Sequence, residues 1–204
     1  MLRKVLVGTL LSGVAVLLSS VPATAQEYFA KFSGFQEVGG LGAGETGAIL
    51  SPGQATLKLD LDKGAQTLTF TLTYSGLANV LQSHIHFGKE HVAGGIMVFF
   101  CTNLGNGPAG TQACPDDSGG PITITGTITA ADVQAIAGQN VPAGDFNAVI
   151  SALTSDSAYA NIHTKLFPSG EIRGQVHGHH NFRGRDGGDR NGDNRNRDNR
   201  DNGR

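Results

Sequence analysis

The chain has 204 residues, with 15 Lys and Arg against 17 Asp and Glu for a formal net charge of −2, 39% hydrophobic residues, two cysteines and no tryptophan. Those numbers exclude a strongly basic nucleic-acid binder, a disulfide-dense miniprotein and a multi-span membrane protein. Taken in order, Arg3 and Lys4 precede an apolar stretch from Val5 to Leu18, and Ala23-Thr24-Ala25 fits the small-x-small cleavage rule, so residues 1–25 read as a signal peptide. The rival reading is a retained anchor. The Ser19-Ser20-Val21-Pro22 break favours removal, leaving a mature chain that starts at Gln26. No later stretch is long and apolar enough to span a bilayer, so no stable membrane anchor is expected after cleavage, and the protein is expected to be exported, periplasmic or extracellular.

The next segments are mostly of period two. Tyr28-Phe29-Ala30-Lys31-Phe32 begins a strand. Gln54 to Leu61 places Leu57, Leu59 and Leu61 on one face, and Thr67 to Tyr74 alternates still more strictly, with Asp62-Lys63-Gly64-Ala65 as the turn between them. Gly-rich Val38 to Gly47 precedes no helix and reads as a flexible loop. Ile96 to Phe100 is a continuous apolar run, as in a strand buried on both faces, and Ile122 to Ile128 alternates again.

Two short helices are expected to interrupt the strands. One starts at a capping-box pattern, Thr129 with Asp132, and stops near Gly138; the other carries the stripe Phe146, Val149, Ile150 and Leu153. A final hairpin runs from Ala158 to Leu166 and back from Glu171 to Val176; pairing Leu166 with Glu171 would set His163 opposite Gly174. The fold class is therefore all-β, a Greek-key β-sandwich or barrel with two short helices, over residues 26–178.

Residues 179–204 are a different material. From Arg183 onward only Arg, Asp, Asn and Gly occur, so a disordered tail is expected. Between Gln26 and Phe182 lie six Lys and Arg against twelve Asp and Glu, a net charge of about −6, and no nucleic-acid partner is expected. Cys101 and Cys114 are the only cysteines, and in an exported chain they are expected to form a disulfide; the alternative, a pair of thiolate ligands, matches no common zinc spacing.

The chemistry concentrates in histidines. His84-Ile85-His86 puts two imidazoles on one face of a strand, because side chains alternate with period two, and Asn161-Ile162-His163-Thr164 supplies a third. Three imidazoles suit copper or zinc, with His91 as a reserve ligand from the following loop. The competing reading has these histidines hydrogen-bonding to Thr164, Asn161 or backbone carbonyls. Glu171 and Arg173 alternate onto one face of the last strand, as an ion pair pinning the hairpin or with Arg173 free to bind an anion. His177, His179 and His180 read as a solvated tract able to hold metal loosely. No Gly-x-Ser-x-Gly and no phosphate loop with a Lys occurs, so no catalytic set stands out.

Several segments, in order and spacing, resemble the CHRD family, the domain first named from chordin. They are Phe32-Ser33-Gly34-Phe35-Gln36-Glu37-Val38, Tyr74-Ser75-Gly76-Leu77, Ser83-His84-Ile85-His86, Ala158 to Thr164, and Gly170-Glu171-Ile172-Arg173-Gly174-Gln175. The resemblance runs from about Tyr28 to His177. It implies an extracellular β-domain, growth-factor binding in animal members, a secreted single domain in bacterial ones, and no particular reaction. A looser local similarity, His84-Ile85-His86-Phe87-Gly88 with Arg173, is to copper–zinc superoxide dismutase; the chain shows no zinc loop like that enzyme's. The leading expectation is thus a non-enzymatic binding domain for an extracellular or envelope protein, with a mononuclear copper or zinc site. The alternatives are a redox metalloenzyme and a purely structural surface or matrix protein.

Overall fold

Two strictly alternating segments set the architecture of the computed structural model, which describes residues 25–38, 47–116 and 119–179. Gln54–Asp62 (β2) and Thr67–Ser75 (β3) pair antiparallel, Asp62 opposite Thr67. Alternation sends Leu57, Leu59, Leu61, Leu68, Phe70, Leu72 and Tyr74 inward, where all are buried. The turn is held by Asp62, whose Oδ1 accepts the backbone N–H of Gly64 and of Ala65, each at 2.9 Å. Such a local bond is what makes Asp a turn former.

Gln26–Phe32 (β1) pairs with the other edge of β2. Further along the chain come Val80–Phe87 (β4), Gly95–Thr102 (β5), Ile122–Ile128 (β6), Ala158–Thr164 (β7), Ile172–Gln175 (β8) and His177–Gly178 (β9). One sheet has the order β6-β3-β2-β1-β9 and the other β5-β4-β7-β8. Every pairing is antiparallel. β3 and β6 are neighbours although the β4–β5 hairpin separates them in the chain, so the sandwich has a Greek-key crossover. Between the sheets lies one apolar core, to which β1 to β7 all contribute.

Of the two expected helices, one forms as an α-helix. Phe146–Thr154 (α1) is capped by Asp145, whose side chain accepts from the Ala148 N–H, and it buries Phe146, Val149, Ala152 and Leu153, with Ile150 partly buried. At the other expected helix the capping box is present, Thr129 with Asp132, but it closes only a single 3₁₀ turn, Ala130–Asp132. The chain turns extended at Val133, which is buried, and the Gln134 N–H bonds to the Met97 carbonyl at 2.8 Å. Edge pairing with β5 thus captures a donor that a helix would have needed. A second 3₁₀ turn at Ala137–Gln139 follows, inside the small bridge between Ile136 and Val141.

The last hairpin also departs from the expected register. Ala160, not His163, stands opposite Gly174, and Asn161 stands opposite Arg173. The connection between β7 and β8 is a broad loop, closed by Gly170 N–H to Phe167 O and Glu171 N–H to Ile162 O. Gly174 makes room for another strand rather than for an imidazole. A Cβ there would lie 2.6 Å from the Lys31 carbonyl oxygen of β1, beside the bridge joining Ser33 to Arg173. The slip is by an odd number of residues, so it reverses which face of β8 meets which face of β7.

The expected leader up to residue 24, residues 39–46 of the Gly-rich loop, and the tail from residue 180 lie outside the described residues. Among the described residues no helix is long and apolar enough to cross a membrane.

Cys101 and Cys114 form the disulfide, tying β5 to the following loop across 13 positions. Asn103 ties the same loop down, donating to the Val80 and Cys114 carbonyls at 2.8 Å. Replacing both cysteines by Ser is expected to lower the unfolding free energy by about 3 kcal/mol through the freed loop entropy. A urea titration of the oxidised protein against the double variant reads this directly; equal midpoints would mean the cross-link contributes nothing.

Candidate metal centre

β4 is the second strand of its sheet, flanked by β5 and β7. Its Ile85 enters the core between the sheets, so His84 and His86 project from the opposite, outer face. The ladder to β5 shifts register between Ser83 and His84 and again between Ile85 and His86. Such bulges bend a strand and re-aim its side chains. On β7, Ala158, Ala160 and Ile162 belong to the core, which sends Tyr159, Asn161 and His163 to the same outer face. Cross-strand pairing sets His84 opposite Asn161 and Gln82 opposite His163, so His163 reaches His84 diagonally.

The three expected ligands come together. The His84 ring centroid is 4.7 Å from that of His86 and 4.6 Å from that of His163, and one nitrogen from each ring falls within a span of 4.8 Å. All three side chains are buried, His84 completely. Two carbonyls orient two of the rings. Nδ1 of His86 donates to Gly94 O at 2.8 Å, and Nδ1 of His163 donates to Pro168 O at 2.8 Å. Each bond fixes the tautomer that leaves Nε2 with a lone pair, the usual way a protein prepares an imidazole ligand. Among the described residues, Nε2 of His163 and both nitrogens of His84 have no partner in hydrogen-bond geometry, although the Asn161 side chain is close enough to His84 to act on its titration. Nε2 of His86 lies 3.1 Å from Oδ1 of Asn161; in that tautomer the contact is a hydrogen bond only with the amide turned to offer its NH₂. The hydrogen-bonding reading named Thr164, Asn161 and backbone carbonyls; carbonyls bond His86 and His163, and Asn161 stands beside His86.

Burial holds all three rings neutral. It pushes His84 well below its usual range, reinforced by the neighbouring His163 and His86, and lowers His163 as well. His86 falls to about 4, again chiefly through burial. A neutral ring is the metal-binding form.

Tyr159 and Arg173 back the site, in roles the sequence reading did not assign. The Tyr159 ring stacks on His86, centroids 4.6 Å apart and planes 3° from parallel. The Arg173 guanidinium carbon lies 3.4 Å from the centroid of the Tyr159 ring, and Arg173 is only 2% exposed. Its Nη2 donates to the carbonyls of Lys89 and Val92 at 3.0 and 3.1 Å, and the Tyr159 hydroxyl accepts the Gly94 N–H at 3.1 Å. The loop from Gly88 to Gly94 is thereby clamped over the histidines. A Cβ on Gly94 would overlap the Phe87 carbonyl oxygen, so only glycine lets the chain pass close enough for its own carbonyl to meet His86. The signal available beforehand was the period of two: Tyr159, Asn161 and His163 share a face, and Arg173 joins them in the observed register.

Three expected roles fall elsewhere. His91 is 81% exposed at a positive φ of 63°, its Nε2 4.0 Å from Glu90, and it does not join the cluster. The loop that carries it is anchored by its carbonyls, which leaves the His91 side chain in solvent. Glu171 does not pair with Arg173: it accepts from Ser51 Oγ and Thr164 Oγ1, each at 2.6 Å, and so fastens the hairpin to the segment before β2. Glu171 lies just before β8, where the turn directs its carboxylate away from the arginine. His177 lies 3.3 Å from Asp156, and His179 lies 3.8 Å from Glu27, both beside the edge of the other sheet.

In the metal-free protein, stability is expected to fall as pH drops from about 6.5 to about 4. Above that window both folded and unfolded imidazoles are neutral. Within it the unfolded chain takes up the proton that buried His86 refuses, and below it the His86 contribution to the loss levels off. His86 alone accounts for on the order of 3 kcal/mol. Melting temperatures across this range check it, and the slope is expected to flatten in His86→Gln.

The model of the CHRD domain family matches residues 28–176. No curated protein and no solved structure matches the chain. The matched stretch covers β1 to β8, including all three clustered histidines and Arg173, and the chain belongs to the CHRD domain family.

Proposed function

We propose that this protein is an exported, non-enzymatic CHRD-type binding domain that holds one copper or zinc ion at His84, His86 and His163. The observation that carries this reading is the fully buried His84, with neither nitrogen hydrogen-bonded, set between two rings whose Nδ1 atoms are tied to backbone carbonyls. A buried polar atom left without a partner costs roughly 1–3 kcal/mol. A metal ion would satisfy one nitrogen of His84 and Nε2 of His163 together. Export is supported by the leader-like N-terminal sequence and by the disulfide, which suits an oxidising compartment. The biological partner is an extracellular or envelope protein, with the metal holding the outer face of the β4–β7 sheet in a binding-competent shape.

The purely structural reading draws on one observation, the carbonyl bonds that His86 and His163 already make. It gives no account of His84. The redox-enzyme reading has less support, because the complete burial of His84 gives a substrate no evident approach.

Metal content of protein purified from the exported fraction without a His tag separates these readings. Near one copper or zinc per chain is expected, lost in the His84→Ala/His86→Ala variant. Saturating metal, at 100 times its dissociation constant, should stabilise the wild type by about 2.7 kcal/mol. Absence of metal from both proteins, even after reconstitution, together with identical melting with and without metal, would leave the histidines structural.

A further inference from the structure

We infer that the centre selects a monovalent ion, Cu(I), over the divalent ions Zn(II) and Cu(II). The inference rests on the metal-centre reading above and narrows it. Among the described residues the ligand group is three histidines with no carboxylate or thiolate. Imidazole is a neutral donor, so a bound ion keeps its whole charge inside the fold. The electrostatic cost of burying an ion rises with the square of its charge, so a divalent ion costs about four times as much as a monovalent one of the same size.

The surroundings sharpen the choice. The permanently charged group acting on the cluster is Arg173, whose cation opposes positive charge at His86. For His84 and His163 the leading influence is burial, which opposes positive charge there as well. Glu37 and Glu90 act on Arg173 instead. Beside the three rings, Phe99 packs perpendicular to His84 with centroids 5.1 Å apart, and Asn161 Oδ1, the oxygen 3.1 Å from His86 Nε2, is an uncharged neighbour that adds no negative charge. Three-histidine zinc sites keep a water or other ligand in the fourth position, and imidazole suits copper as well as zinc, so the discrimination rests on charge rather than on donor type.

The test uses the mature full-length chain, made metal-free. Under anaerobic conditions Cu(I), buffered by a chromogenic chelator, is titrated against the protein, and Zn(II) and Cu(II) are titrated separately against buffers of known affinity. One Cu(I) per chain is expected, with affinity at least about tenfold above that for either divalent ion, the direction that the charge argument sets. The His84→Gln/His163→Gln variant is expected to bind Cu(I) at least tenfold more weakly, which separates the centre from the His177–His180 tract. X-ray absorption of the wild-type Cu(I) complex needs no variant and is expected to show three nitrogen neighbours. Zn(II) or Cu(II) bound as tightly as Cu(I) would overturn the charge selection while leaving a metal centre in place. Failure to bind any of the three would overturn the selection and the centre together.

Discussion

Strand β7 is buried on both faces, and the rest of the molecule is arranged around that demand. Its seven residues are all buried. Small and apolar side chains, Ala158, Ala160 and Ile162, face the sandwich interior, where they meet β4 and the opposite sheet. The outer face carries Tyr159, Asn161 and His163, which are polar and therefore costly to cover unless each finds a partner. Burial of that face makes an ordinary sandwich strand into the floor of a site.

Loops rather than secondary structure supply the cover. The Gly88–Gly94 loop brings the Gly94 carbonyl to His86 and offers two carbonyls to Arg173, and the loop after β7 brings the Pro168 carbonyl to His163. Glu171 and Ser33 hold the hairpin against the segment that precedes β2 and the end of β1. Each contact satisfies a backbone group as well as a side chain, which is how irregular chain comes to lie over a sheet. The same contacts that bury the histidines also keep them neutral, so the fold itself prepares them as donors. Among the described residues the network leaves both nitrogens of His84, Nε2 of His163 and Nη1 of Arg173 without a hydrogen-bond partner.

Much of this was legible in the chain. Leu57, Leu59 and Leu61 against Leu68, Phe70 and Leu72 announce a hairpin with one apolar face, and Asp62 announces its turn. His84 and His86 share a face in any strand, and the CHRD-like segments place His163 in a neighbouring one. The helix expected after Thr129 shows the limit. Its capping box is real, but a local signal worth one turn yields to a strand edge that offers Gln134 a hydrogen bond. Glu171 and Arg173 show it again, for their separation of two positions implied a shared face, and the turn just before β8 broke the alternation between them.

Sequence alone determined the alternation of faces, the core of the large sheet, the cysteine pair and the identity of the three imidazoles, because these follow from periodicity and composition within single segments. Tertiary structure decided the register of β7 against β8, which of the histidines stay in solvent, and the stacking of Arg173 on Tyr159 and Tyr159 on His86. Register depends on loop conformation and on the approach of β1 to Gly174, and no short-range pattern encodes either. His91 was excluded by its turn backbone and its loop's anchoring, Arg173 recruited by a slip of odd length. The first outcome is set by contacts 81 and 84 positions apart in the chain, the second by the hairpin loop and the meeting of β8 with β1.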